Sequence, residues 1–300
     1  MIHPKVLQGR EIIRKIFADN RPFRHAVIEN FFEEQIAEGL LRDFPPFDHD
    51  LAKNEFGRPN RKWTVADMRS IGPFYKKVYE YIQSPLFLKA ISEMTGIPDL
   101  VADPKMFGGG THENLEGQAL YPHIDFNYLD HEKLHRRLNL LIYLNKEWEE
   151  DWGGAIELHS NPRRRQENTF TAILPLFNRC VIFETNERSW HAFRTIRLPE
   201  GKKHLSRRSI SIYLYTKDRP LEEIVPPHST FYWIWPLPGR LKSGYTLSEK
   251  DVSEIEHLID ARDNFLKHYQ EKELKWSGEV EDLKKVLEHY KKVSAWVPVS

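Results

Sequence analysis

Residues 206–215 read Ser206-Arg207-Arg208-Ser209-Ile210-Ser211-Ile212-Tyr213-Leu214-Tyr215. Successive side chains of a strand point to opposite faces, so the run sorts into two sets. Arg207, Ser209, Ser211 and Tyr213 share one face, while Arg208, Ile210, Ile212 and Leu214 share the other. The second face is apolar with a charge at its edge. The first is a guanidinium with neighbouring hydroxyls, the chemistry that clamps a carboxylate through two charge-assisted hydrogen bonds. The pattern selects Arg207 over Arg208 for that role, and a register slip of one residue would exchange them.

Outward from this strand, residues 101–216 keep a strand-like texture. Arg137 to Leu144, Ala155 to His159 after the Gly153-Gly154 turn, and Cys180 to Phe183 are further runs, punctuated by Gly, Pro, Asn and Asp. Short strands without intervening helices predict a mainly β core, a sandwich or double-sheet jelly roll. Residues 1–100 are instead helix-like. Phe32, Ile36, Leu40 and Leu41 stop at Pro45-Pro46; Phe74, Val78, Tyr79 and Ile82 precede Ser84-Pro85; Leu86 to Met94 ends near Gly96. After Pro226-Pro227 comes an aromatic loop, Phe231-Tyr232-Trp233-Ile234-Trp235. Two helices are expected beyond it, one capped by Ser248 with Val252, Ile255, Leu258, Ile259, Phe265, Leu266 and Tyr269 on its stripe, the other from Val280 to Tyr290. The expected organisation is thus 1–100 as helical support, 101–220 as the β core, and 221–300 as aromatic loop and helices for packing or homo-oligomerisation, all in a single domain.

Lys plus Arg and Asp plus Glu both number 44, so the formal charge is zero and gives no electrostatic reason to expect nucleic acid or an anionic membrane as partner. Cys180 is the single cysteine, which excludes an intrachain disulfide and favours a reducing compartment. The N-terminal residues hold no apolar run of signal-peptide length, and no run suits a transmembrane helix. The expectation is a soluble, cytoplasmic protein.

His123-Ile124-Asp125 sets an imidazole and a carboxylate on one face of a strand. Of the 14 histidines only His123 has an acid two places on, so the pair alone carries little weight and its context decides. His191 follows the strand Cys180 to Phe183 and a polar loop, and a jelly roll brings such distant strands together. Two histidines and one carboxylate leave coordination positions open, as Fe(II) requires if it is to bind a cosubstrate and O2. His112 in a Gly-rich loop, His131 and His135 in a charged stretch, and His204 among Lys and Gly are expected to be solvated.

His-x-Asp, a distal His and an Arg-x-Ser strand resemble the 2-oxoglutarate/Fe(II) dioxygenase superfamily, in its prolyl-4-hydroxylase-like branch and a bacterial subgroup of small oxygenases. Ile142-Tyr143-Leu144-Asn145-Lys146-Glu147-Trp148 with Gly153-Gly154 is similar to a segment of that branch. The likeness covers about 110 residues, roughly 107–220. It implies a double-stranded β-helix (cupin-like jelly roll), with His123, Asp125 and His191 as metal ligands and catalytic residues. It further implies Arg207 on the distal oxoglutarate carboxylate, Tyr143 as a second donor and Ser209 beside it. Asn139, on the Tyr143 face of its strand, joins the cofactor-binding set. Implied cofactors are Fe(II), 2-oxoglutarate and O2, with ascorbate as an accessory. The carboxylate of Asp125 implies hydroxylation, since halogenating relatives lack it. The sixteen residues from His191 to Arg207 exceed the usual spacing, and Leu198 to Leu205 are expected to loop out.

A cupin-like metal-binding or sugar-modifying protein without oxygenase activity would keep the metal set but would not need Arg207 and Ser209 paired with Tyr143. The substrate, a small molecule or a side chain, is not fixed by the sequence; loops 126–136 and 161–168 are expected to border it. Cys180 is expected to pack in a strand, and Pro162-Arg163-Arg164-Arg165 to form a solvated loop.

Overall fold

The computed structural model describes residues 1–53 and 62–294. Helices α1 (Pro4–Gln8), α2 (Arg10–Asp19) and α3 (Glu34–Arg42) flank strand β1 (His25–Ile28); β2 (Lys62–Val65) precedes α4 (Pro73–Ile82) and α5 (Pro85–Thr95). Strands β3 (Val101–Ala102), β4 (Gly110–Asn114), β5 (Leu120–Ile124), β6 (Tyr128–Leu129), β7 (Leu134–Tyr143) and β8 (Ile156–His159) follow. The chain continues through β9 (Phe170–Ile173), β10 (Cys180–Glu184), β11 (Trp190–Phe193), β12 (Arg207–Thr216) and β13 (Phe231–Tyr232) to α6 (Glu249–Ser294).

Among the described residues the strands form two antiparallel sheets. The eight-stranded sheet runs β1-β10-β7-β12-β4-β2, with β3 also on β12 and β6 on β7; the five-stranded sheet runs β13-β5-β11-β8-β9. Together they make the double-stranded β-helix expected from the sequence.

Period two decides which side chain goes where. Leu138, Leu140 and Ile142 of β7 and Ile210, Ile212 and Leu214 of β12 point outward, into one cluster with Phe17, Ile36, Leu40, Val78 and Phe87 of the helices. Each fully buried Leu or Ile there stabilises the fold by about 1.5–3 kcal/mol. The opposite face of the same strands carries Asn139, Leu141, Tyr143, Arg207, Ser209, Ser211 and Tyr213, which line a cavity or pack beneath it. Cys180 is buried in the helix-side cluster, as a packing residue should be.

The helices begin and end where their sequence says. Ser84 accepts a hydrogen bond from the Phe87 N–H and Pro85 opens α5, while Gly96 closes it at φ 73°, a left-handed position suited to glycine. Two differences from expectation concern strands and one a helix. The first hundred residues are not helical throughout: β1 and β2 supply both edges of the larger sheet. Each is only four residues long, too short for a periodic signal to emerge. At the other end the two expected helices are a single one, α6. Gly278 lies inside it, and glycine costs a helix only about 1 kcal/mol, too little to break it. Ser248 does cap α6: its Oγ accepts from the Asp251 N–H at 3.3 Å, and Asp251 Oδ2 accepts from the Ser248 N–H at 2.9 Å.

Met1–Trp233 forms one compact unit, and a second begins at Ile234. Among the described residues no helix is long and apolar enough to cross a membrane.

Candidate metal centre and its cavity

β5 and β11 are antiparallel neighbours, and their register sets His191 directly opposite His123. The ring centroids lie 4.0 Å apart. Asp125 follows β5 at once, and one ligand atom from each of the three residues lies within 4.8 Å of the other two. Strand pairing therefore closes the long sequence gap.

Each imidazole is held from behind. His123 Nδ1 is 2.9 Å from the Tyr121 carbonyl, and His191 Nδ1 is 2.9 Å from the Ser189 carbonyl. A carbonyl only accepts, so Nδ1 carries the proton and Nε2 presents its lone pair to the metal position. Those Nε2 atoms lie 3.9 and 3.6 Å from the Asp125 carboxylate oxygens. Burial lowers the pKa of both rings, His191 to about 3 with the His123 neighbour adding to the effect, so both are neutral near pH 7. Burial would raise the Asp125 carboxyl, but Arg136 and the two imidazoles outweigh it and hold it well below the usual carboxylate range. Two neutral nitrogens and one ionised carboxylate are a donor set that fits Fe(II).

Around the carboxylate sits a second layer. Asn139 Nδ2 donates to Asp125 Oδ2 at 2.8 Å, and Arg136 pairs with the same oxygen at 3.2 Å. Arg136 Nε and Nη2 also donate to Asn139 Oδ1 at 3.0 and 2.8 Å, and its guanidinium lies over the rings of Tyr213 and Phe126. Asn139 lines the cavity, and its amide N–H donates to the Asp125 carboxylate. Arg136 was missed for a geometric reason. Strict alternation puts Arg137 on the Asn139 face, yet β7 pairs Leu138 with Leu214 and Arg136 with Tyr215, leaving Arg137 as the extra residue of a β-bulge. Arg137 turns instead toward Glu184 and Glu223.

The three ligands open on a cavity of ≈ 330 Å³. Arg207 lies in its wall, 5 % exposed, while Arg208 points to the other face and pairs with Glu113 at 3.0 Å. The segment 145–154 seats Arg207. Asn145 accepts from the Arg208 N–H at 3.1 Å and donates to the Ser206 carbonyl at 2.5 Å, clamping the start of β12. Trp148 Nε1 donates to the Gly153 carbonyl at 2.7 Å, and the Gly154 carbonyl accepts from Arg207 Nε at 2.6 Å. Gly154 has φ 70°, and a Cβ there would sit 3.0 Å from Trp148 and 3.3 Å from Arg207, so only glycine fits without displacing its neighbours. Arg207 Nη2 donates to the Tyr143 hydroxyl at 3.0 Å, and Ser209 is the register partner of Tyr143. Among the described residues no carboxylate pairs with Arg207. A buried guanidinium whose partners are all neutral carries a desolvation cost that no protein charge offsets. The stretch before Arg207 turns outward only at Glu200–Lys202, while Leu198 and Leu205, expected to loop out, pack against the cluster of Trp148, Trp152 and Phe193.

Other expectations are corrected. His112 is not in a loop: it lies half-buried in β4, opposite Ser209, and its Nε2 is 3.1 Å from the Gly108 carbonyl in the cavity wall. The neighbouring glycines masked a strand that starts at Gly110. Of the two expected border loops, 126–136 contributes Phe126 and Arg136, whereas 161–168 contributes no lining residue. Arg163 is not merely solvated but lies over the rings of Trp190 and Phe231. Lys62, Thr230 and Tyr232 also line the cavity, and none was singled out from the sequence. Tyr232 stacks on the His123 ring at 5.1 Å because β13 pairs with β5. The aromatic loop was visible in the sequence, but its pairing partner was not.

The double-stranded β-helix thus sets two imidazoles and a carboxylate that could hold a metal ion, and a buried guanidinium, around one cavity. Residues 110–215, which hold His123, Asp125, His191 and Arg207, match the sequence model of the 2OG-Fe(II) oxygenase superfamily. The Mus musculus protein named Prolyl 3-hydroxylase OGFOD1 is 26% identical over 255 residues, which are 80% of this chain and 43% of that protein. The chain thus spans less than half the length of this curated relative. Among solved structures, a Trichoplax adhaerens prolyl hydroxylase in complex with a hypoxia inducible factor peptide fragment is 15% identical, with TM-score 0.48, over 72% of this chain and 94% of that one. A Phytophthora capsici prolyl 4-hydroxylase is 17% identical, with TM-score 0.48, over 98% and 90%.

Proposed function

We propose that the chain is an Fe(II)- and 2-oxoglutarate-dependent dioxygenase that hydroxylates an unactivated C–H bond, with release of succinate and CO2. His123, Asp125 and His191 would hold the iron, and Arg207, with Tyr143 and Ser209, the distal carboxylate of 2-oxoglutarate. The observation that carries this reading is the pairing of the His123, Asp125 and His191 donor set with a buried guanidinium that has no protein carboxylate partner among the described residues, across one cavity. When bound, iron and 2-oxoglutarate supply the activation of O2 that amino acid side chains cannot. The chain's own residues do the rest. The Nδ1 bonds of both histidines fix tautomer and ring angle, and Arg136 with Asn139 keeps Asp125 ionised and oriented. Leu120, Leu141, Ile156 and Phe193 exclude water between the two ends.

In this reading residues 1–100 support the core, 101–220 carry the chemistry and 221–300 add the ring of Tyr232 and a surface for self-association. The buried, single Cys180 favours the cytoplasm as its compartment. The substrate is a small molecule or a peptide side chain, and the name of the mouse relative makes prolyl residues of a peptide the first class to test. The deciding measurement is succinate formation coupled to 2-oxoglutarate loss with Fe(II). Wild type should show it with an accepted substrate, and His123→Ala should bind no iron. Equal 2-oxoglutarate turnover by both proteins would mean that the metal site is misassigned, and a wild type that binds iron but never 2-oxoglutarate would favour the cupin-like alternative.

A further inference from the structure

Helix α6 carries two stripes. Asp251, Leu258, Ala261 and Phe265 are buried, and beside them runs a second stripe that is mostly exposed, with Ile255 and Tyr269 half-buried. At seven-residue steps it holds Val252, Ile259, Leu266, Glu273, Val280 and Leu287; offset by three, it holds Ile255, Arg262, Tyr269, Trp276, Leu283 and Tyr290. These are the a and d positions of a heptad repeat sustained for six heptads, with β-branched residues at three of the a positions. The five apolar a residues are exposed, as are Trp276, Leu283 (68 %) and Tyr290. Gly278 falls at f, on the side away from the seam.

Only Arg262 and Glu273 interrupt the apolar pattern, and their signs are opposite. They stand eleven residues apart, about 16 Å along a helix, too far to pair within one chain. A parallel, in-register partner would set Arg262 against Arg262 and Glu273 against Glu273. A partner running the other way matches a layers with d layers and can set each against its complement. That register also places Val252 on the partner's Leu283, Ile259 on the partner's Trp276, Leu266 on the partner's Tyr269 and Val280 on the partner's Ile255. The e positions agree. They are acidic in the first half of the helix (Glu249, Glu256, Asp263) and basic in the second (Lys284, Lys291), and antiparallel pairing sets e against e.

We propose that α6 pairs with α6 of a second copy of this chain as an antiparallel coiled coil, with Arg262 of each copy on Glu273 of the other. This gives the self-association proposed above its geometry and does not rest on the oxygenase reading. The test uses the full chain in three ways. Sedimentation equilibrium should find a dimer. Under oxidation V252C/L283C should form interchain disulfides, whereas V252C and L283C alone should not. R262E and E273R should each weaken the dimer by about tenfold or more through like-charge contact, and R262E/E273R should restore it. A monomer at every accessible concentration would overturn the proposal. So would disulfides in the single-cysteine variants, which report a parallel pair, or a charge swap that fails to restore association. A variant that loses the dimer while keeping succinate formation leaves the oxygenase reading intact, so the two can fail separately.

Discussion

Two guanidiniums are buried in the wall of one cavity, and they live differently. Arg136, 1 % exposed, is closed on itself: it has the Asp125 carboxylate, the Asn139 amide oxygen and two aromatic faces. Arg207, 5 % exposed, has a backbone carbonyl, a phenol and the rings of Tyr143 and Phe193, all without charge. The first is neutralised within the fold, and the second has no protein countercharge among the described residues. The difference teaches that burial of a charge is not itself a functional signal; the missing countercharge is.

The comparison can be broken most sharply through stability. Arg136→Met should strand Asp125 without its cation and lower the stability of the metal-free protein by about 3–5 kcal/mol in urea unfolding. Arg207→Met, which removes a charge with no partner to strand, should leave that stability unchanged or raise it. Equal losses in the two variants would erase the distinction. In binding the order reverses. Loss of two charge-assisted hydrogen bonds, at about 1.5–3 kcal/mol each, should weaken 2-oxoglutarate by about a hundredfold or more in Arg207→Met, measured by calorimetry, while iron affinity holds.

Acidification sharpens the metal end. His191 stays neutral in the folded chain down to about pH 3, whereas an unfolded histidine takes a proton near pH 6.5. The unfolded state therefore binds more protons between those values, and stability falls as pH falls through this window by up to about 1.4 kcal/mol per unit for this group. Urea midpoints of the metal-free protein at pH 7, 6 and 5 should show the slope, and His191→Gln should flatten its share. Smaller effects belong to the seat of Arg207. Gly154→Ala should raise the 2-oxoglutarate KM several-fold with iron affinity unchanged, because its Cβ would press on Trp148 and Arg207. Smallest of all, Arg208→Ala should leave 2-oxoglutarate affinity where it is, since that side chain faces Glu113 on the opposite side of the sheet.

What could be read before folding follows from how local the signal is. The faces of β12 were legible because ten residues alternate without interruption, and His123 and Asp125 because strand spacing alone sets them together. The helices α3 to α5 announced themselves through stripes, caps and prolines. Arg136 was hidden because one bulged residue inverts the parity of everything before it in β7. His112 was hidden by the glycines beside it, and β1 and β2 by their brevity. Tyr232 required knowing that β13 returns to β5 across more than a hundred residues of chain, which no local pattern encodes.

That return has a consequence for where the oxygenase unit ends. The family match stops at residue 215, just inside β12, and already contains His123, Asp125 and His191. Yet the Tyr232 ring lies on His123 and the Trp233 N–H is donated to the Pro122 carbonyl at 2.7 Å, so the outer flank of β5 is supplied by residues the match does not reach. A protein shortened to the matched segment would leave that edge of β5 without its β13 partner, with His123 keeping its Tyr121 hydrogen bond but losing the Tyr232 ring.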